Sequence, residues 1–441
     1  MKTRLALTLV LAVATTVMTA QPTLNTPAAN SPAAGGTGGS VAAQPASPTP
    51  QLLVDQPGAL NGRRGGTGQR GGGGAPRRGG PPVRLPVPAF IPAGPDAEAL
   101  VKALAPHRVS PRAVPGANPP LNAEGDFIIG PDYVPAPEMT AVDGVPKGNV
   151  IRFTMNSAES KIYPGISKAA NGTLDPENIY TLIVDSHPTS YTRTITVYVP
   201  AGYVPGTPAP LMVGFDGTGY LPTTMLDNMI AQKRIPPLVA VGITPGNFPQ
   251  GTNNDAQGSQ RGLEYDTMSG KLAEFVETEV LPLVEKNANV VITKDPEGRG
   301  AIGGSSGASA AFSMAWYRPD LYHRIISYSG TFVNQQWPFN PETPHGAWGY
   351  HENIIANSEV KPLRIWMQVS DADLLNPNVM KDNMHDWVEA NNRMAAILRT
   401  KGYHYQYAFS LNSGHTTAPA RNQTYAHAYE WVWQGYKPTG K

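Results

Sequence analysis

The stretch of this sequence best suited to chemistry is Gly303-Gly304-Ser305-Ser306-Gly307. A short apolar segment ending at Ile302 leads into it, and the small residues Ala308, Ser309, Ala310 and Ala311 lead out. A serine with glycine two residues to either side, between a strand and a helix, matches the strained elbow that exposes a nucleophilic hydroxyl. The glycines have a steric reason, because side chains there would collide with the neighbouring strands and helix. The helix start also lends partial positive charge to an oxyanion forming beside it. Ser305 is therefore the candidate nucleophile. The plainer alternative is a glycine–serine loop in which Ser306 merely caps the helix.

A serine needs a base, and the base needs an orienting acid; in sites of this kind they follow in the order Ser, acid, His. His385, His404, His415 and His427 all lie downstream of Ser305. His385 and His427 fall inside expected helices, and His404 lies in a tyrosine-rich strand where a half-buried structural role is ordinary. His415 ends Asn412-Ser413-Gly414-His415, a loop directly after the last expected strand, from which a base can reach across the sheet's C-terminal edge. The candidate acids stand in Ser370-Asp371-Ala372-Asp373, at the end of the preceding strand. Asp373 is preferred and Asp371 is the alternative, with the other residue capping the turn. The turn Asp216-Gly217-Thr218-Gly219 also follows a strand, and Gly217 or Thr218 could donate a backbone N–H beside that of Ser306 to form an oxyanion hole. A plain turn is the competing reading there.

The elements that must position these residues alternate. Strands are expected at Val150–Met155, Tyr180–Asp185, Thr194–Val199, Leu211–Phe215, Leu238–Ile243, Gly300–Gly303, Arg324–Tyr328, Leu363–Val369 and Tyr403–Phe409. Several are unbroken apolar runs, as in a parallel sheet covered on both faces. One helix is expected over Glu264–Lys286, with Tyr265, Met268, Leu272, Val276 and Leu283 on one face and a kink at Pro282. Others are expected over Asn383–Lys401, stopped by Gly402, and Gln423–Gln434. This alternation predicts a doubly wound, mostly parallel α/β sheet. Each candidate site residue then lies where such sheets place their sites, at the C-terminal ends of strands.

The 46 glycines and 45 prolines among 441 residues exceed what a packed domain carries. Much of the excess sits in residues 21–95, where Asp55 is the only acid, so this stretch reads as a disordered tether. Five of its arginines (Arg63, Arg64, Arg70, Arg77, Arg78) stand among glycines, a pattern shared with binders of single-stranded nucleic acid, but a basic linker is the favoured reading. The net charge of +1 likewise argues against a polyanion partner, and no nucleic acid is expected.

Residues 1–20 have Lys2 and Arg4 before an apolar run from Leu5 to Val13 and small residues up to Ala20, the pattern of a secretory signal peptide. The expected location is thus secreted or periplasmic, with no membrane span. Without cysteine there is no lipid-attachment site, disulfide or thiolate metal site, and the nine histidines show no close-spaced ligand motif. Residues 96–145 form a Pro-rich approach segment with a short helix expected at Ala97–Leu104, and residues 146–436 form a single catalytic domain.

From about Tyr180 to Trp433 the sequence resembles the enterochelin-esterase-like branch of the α/β hydrolases, a family that also includes feruloyl and acetylxylan esterases. The resemblance rests on Phe215-Asp216-Gly217, Arg261 with Glu264-Tyr265-Asp266, and Glu279 through Leu283. It also rests on the elbow at Gly303–Gly307, Tyr317-Arg318-Pro319-Asp320-Leu321-Tyr322, and Gly414-His415. It implies a triad of Ser305, Asp373 and His415, cofactor-free hydrolysis through an acyl-enzyme, and a small-molecule or polysaccharide-linked ester as partner. Relatives commonly have Gly, Asn and Asp before the acid, where this chain has Ser370-Asp371-Ala372-Asp373. Arg261 and Glu264, one turn apart, read as an ion pair opening a helix. Trp337, Phe339, Trp348 and Tyr350 are candidates for an acyl pocket or for core. Acyl transfer at the same triad, and a non-catalytic carbohydrate-binding scaffold, are the competing functions.

Overall fold

The computed structural model describes residues 116–165, 173–175, 178–183, 190–246, 260–337, 340–376 and 382–438. The expected signal peptide, the linker, the helix at Ala97–Leu104 and Phe339 lie outside the described residues.

The strands, in chain order, are β1 (Gly125–Ile129), β2 (Asn149–Asn156), β3 (Thr173–Asp175), β4 (Asn178–Ile183), β5 (Thr192–Val199), β6 (Pro208–Ala209) and β7 (Leu211–Phe215). They continue with β8 (Val239–Ile243), β9 (Val291–Ile292), β10 (Arg299–Gly304), β11 (Arg324–Tyr328), β12 (Arg364–Ala372) and β13 (His404–Gly414). Nine form one sheet in the order β1-β13-β12-β11-β10-β7-β8-β5-β2. Its pairings from β1 through β8 are parallel, and β5 runs antiparallel to both β8 and β2. This is the doubly wound, mostly parallel α/β-hydrolase architecture expected. All residues of β7, β8, β10 and β11 are buried, which is why their sequences are continuous apolar or small runs rather than alternating ones.

Two expectations for the sheet need correction. The strand expected at Tyr180–Asp185 is β4, which pairs with β3 in a separate two-stranded hairpin and takes no place in the main sheet. Conversely, the Pro-rich approach segment supplies β1, which pairs in parallel along β13 from Gly125↔Gln406 to Ile129↔Ser410. Its short run Gly-Asp-Phe-Ile-Ile sits among turn residues and is hard to distinguish from loop by pattern alone.

The helices are α1 (Thr223–Ala231), α2 (Arg261–Tyr265), α3 (Lys271–Phe275), α4 (Leu281–Ala288), α5 (Ser306–Tyr317), α6 (Trp387–Lys401) and α7 (Ala418–Trp433). They cover both faces of the sheet. One buried cluster joins Tyr265, Leu272, Phe275, Phe312 and Met394 to Val213, Ile325 and Ile365; the other joins Met225, Leu226, Tyr429 and Trp431 to Met212, Ile302 and Trp366. Among the described residues, no helix is long and apolar enough to cross a membrane.

The single helix expected over Glu264–Lys286 is in fact broken. Its chain leaves the helix between α2 and α3, and a π turn at Val276–Val280 precedes α4. Pro282, near the start of α4, has no N–H for a carbonyl one turn back, and the wider turn accommodates that loss. The other two expected helices are present as α6, whose N-cap Asp386 accepts from Val388 N and Glu389 N, and α7, which begins earlier, at Ala418.

Candidate active site

Ser305 occupies the turn between β10 and α5 with φ 57° and ψ −131°, a conformation that is costly for a residue with a side chain. Neighbouring strands hold it there. Its N–H donates to Tyr328 O (2.9 Å), and its carbonyl accepts from Thr331 N (3.3 Å). The close packing explains the flanking glycines. A Cβ on Gly303 would collide with the carbonyl of Gly307, and one on Gly307 would approach Phe215 Cβ to 3.1 Å. The Ser305 hydroxyl lies 3.5 Å from Thr331 Oγ1, at the weak limit of a hydrogen bond.

His415 follows β13, and its Nδ1 is 2.6 Å from Asp373 Oδ1. Asp373 is buried and also accepts from Ser329 Oγ (2.7 Å) and Leu374 N (2.8 Å). Burial by itself would raise its pKa. The hydrogen bond and charge of His415, together with the Ser329 and Leu374 donors, outweigh that and hold the carboxyl below the usual carboxylate range. Asp371 is directed elsewhere: it accepts from Asn412 N (2.8 Å) and Ser413 N (3.1 Å), fixing the strand end that carries His415. A register shift between Ser370 and Ala372 separates the two acids, since Ser370 pairs with Ser410 but Ala372 with Gly414.

Two residues that sequence reasoning did not single out for the site tie these parts together. Ser329 follows β11, bonds Asp373 and accepts the N–H of Thr416 (3.2 Å). Trp387, at the start of α6, donates its indole N–H to Thr331 Oγ1 (3.2 Å) and meets the His415 ring edge-on at 6.1 Å. Ser329 stands just past a strand end, the one signal that could have found it. Trp387 reads as core in the helical pattern, and nothing in that pattern marks it for the site.

The turn after β7 brings Asp216 (φ 59°) and Gly217 (φ 71°) close to the elbow. The N–H of Gly217 is already donated to Ile243 O (2.9 Å), which corrects the expectation that it could serve the oxyanion. Thr218 N–H and Ser306 N–H, at the first position of α5, remain the candidate donors. The expected Arg261–Glu264 pair is also corrected. Arg261 instead grips Asp216 through two bonds (2.8 and 3.1 Å) and donates to Gly304 O (3.3 Å), linking the turn to the elbow. Glu264 pairs with buried Arg193 (2.8 Å) and accepts from Tyr191 (3.0 Å). Spacing of one turn permits a helical pair, but here the tertiary partners present better-placed charges.

The other candidate histidines have partners elsewhere. His404 is an exposed partner of Glu124, not half-buried, because it begins β13 near the sheet's edge. His385 precedes α6 rather than lying within it, 3.3 Å from Asp382, and His427 is buried against Gln406. Trp348 and Tyr350 are fully buried core residues, whereas Trp337 is half-buried and its backbone N–H donates to Asp266 O (2.9 Å).

Residues 186–424, more than half of the chain, match the family described as "Putative esterase". The chain belongs to this esterase family. A curated relative, the uncharacterized protein YbbA of Bacillus subtilis (strain 168), is 29% identical over 150 residues, covering 32% of this chain and 57% of that protein. Among solved structures, the enterobactin esterase of Shigella flexneri with enterobactin is similar at 17% identity and a TM-score of 0.43, over 68% of this chain and 62% of that one. The feruloyl esterase module of Clostridium thermocellum with sinapinate is 14% identical with a TM-score of 0.41, over 70% of this chain and 96% of the module. This chain thus spans less than two thirds of YbbA and of the Shigella enzyme.

Proposed function

We propose that this esterase hydrolyses carboxylic esters through Ser305, His415 and Asp373. The reading is carried by the 2.6 Å contact between His415 Nδ1 and Asp373 Oδ1, and it is supported by a serine held at φ 57° on the elbow, whose N–H bonds Tyr328 O one residue before Ser329, a donor to Asp373. The ionised acid fixes the tautomer with the proton on Nδ1, leaving Nε2 to take the Ser305 proton. The alkoxide adds to the ester carbonyl, and the oxyanion is met by the N–H groups of Ser306 and Thr218. His415 then returns its proton to the leaving alcohol, and water releases the acid from the acyl-enzyme by the same route.

The test is Ser305→Ala assayed on a 4-nitrophenyl acetate or a feruloyl ester. Turnover is expected to fall on the order of 10⁴- to 10⁶-fold. A rate equal to wild type would remove Ser305 from the mechanism.

A further inference from the structure

We propose that Arg421 forms an anion subsite at the mouth of the Ser305 site, so that the preferred ester carries a carboxylate or similar anionic group near the scissile bond. The proposal rests on the esterase reading above.

Arg421 lies in the first turn of α7, its N–H bonded to Thr417 O (3.2 Å) just past the His415 loop. Its guanidinium carbon is 5.0 Å from the Tyr220 ring centroid. Tyr220 packs directly on the elbow: a Cβ at Gly304 would collide with its hydroxyl. The same ring stacks on Tyr328 (6.1 Å), whose carbonyl holds the Ser305 N–H. One tyrosine ring therefore separates the guanidinium from the nucleophile's turn. On another side, Arg421 Nη1 donates to Tyr425 Oη (3.3 Å), and that hydroxyl donates to Gly219 O (3.2 Å). Arg421 thus stands between the His415 loop and the turn carrying Thr218.

Its bonding sets it apart. Nε is buried without a hydrogen-bond partner, and Nη1 reaches a neutral hydroxyl. Other arginines of the domain have carboxylates: Arg261 has Asp216, Arg193 has Glu264, Arg234 has Glu138 and Glu430, and Arg299 has Glu277. Among the described residues no carboxylate pairs with Arg421. A half-buried guanidinium has lost part of its hydration without gaining a counter-ion. A ligand carboxylate would supply that charge, and its two oxygens match the planar donor fork. If Arg421 is only packing, held by the Tyr220 face, it will not distinguish charged from neutral esters.

The experiment compares the full chain with Arg421→Gln and Arg421→Lys on three esters. These are 4-nitrophenyl acetate (neutral), 4-nitrophenyl hemisuccinate (anion on the acyl side) and 2-acetoxybenzoate (anion on the alcohol side). Arg421→Gln should lower kcat/KM roughly tenfold or more for one of the anionic esters, mainly through KM, while leaving the neutral ester within about twofold. Arg421→Lys should recover part of the loss, and added salt should weaken the wild-type preference. Whichever anionic ester responds identifies the side of the scissile bond that Arg421 serves. An equal fall on all three esters, or no fall on any, overturns the subsite while leaving the esterase reading intact. If the wild-type chain cleaves the neutral ester no faster than Ser305→Ala, the esterase reading itself fails.

Discussion

Asp371 and Asp373 stand two residues apart and perform different work because one hydrogen-bond set faces the backbone and the other faces an imidazole. Asp373 is buried, so its charge is tolerated only with its donors in place: His415, Ser329 and Leu374 N–H. Asp373→Asn replaces the carboxylate facing His415 Nδ1 with a neutral amide that, in the proposed mechanism, no longer fixes the tautomer or stabilises the imidazolium. The expected loss in kcat is on the order of 10⁴-fold, with the fold retained. Asp371→Asn keeps one acceptor oxygen for Asn412 and Ser413, and should change kcat by less than about tenfold. Steady-state kinetics of the two variants side by side check this, and reversed magnitudes would exchange the assignments.

Edge strand β1 shows how an element far from the nucleophile in sequence supports the site. It lies along β13, the strand that delivers His415, and the segment before it is fastened by side chains reaching up from the domain. Gln406 Nε2 donates to Pro120 O and Ala123 O (both 3.0 Å), Trp431 Nε1 to Ala123 O (3.2 Å), and Gln434 Nε2 to Leu121 O (2.8 Å). Removing the strand exposes the edge of β13 and strips these donors of their acceptors. A chain starting at residue 131 should therefore melt lower than one starting at 116, by roughly 5 °C or more, as read by calorimetry. Equal melting temperatures would show that β1 contributes nothing to the domain.

Across the whole molecule, two buried histidines bias stability with pH. Burial, with a smaller push from Arg234, lowers the pKa of His427 from 6.5 to about 4. Burial, with the charge of Arg393, lowers that of His351 to about 3. Both are held neutral in the folded chain, so the unfolded chain binds more protons below pH 6.5. Their contribution is fully present above that pH and is lost as pH falls towards 4 and then 3. For His427 the loss is on the order of 3 kcal/mol. Denaturant unfolding at pH 7, 5.5 and 4 should show falling stability, and His427→Gln should flatten the upper part of that curve. An unchanged slope in the variant would place the acid sensitivity elsewhere.

Much of this protein is determined by local sequence. Gly303 and Gly307 read as a close approach around a serine, continuous apolar runs announce strands covered on both faces, and Gly402 stops a helix. These signals act over a few residues, where sterics and hydrogen-bond capping leave few options. Fold class and the strand–turn–helix setting of Ser305 are legible at that range, whereas Asn412–Gly414, expected as loop, extend β13 up to His415. Tertiary structure decided the rest, because partners distant in the chain set it. Across an irregular stretch of β13, Asp371 took the N–H groups of Asn412 and Ser413, and Asp373, rather than Asp371, met His415. Ile243 took the N–H of Gly217, Asp216 drew Arg261 away from Glu264, and the edge of β13 made a strand of Gly125–Ile129. A charge or an N–H bonds whichever acceptor packing brings nearest, and sequence spacing alone does not rank those acceptors.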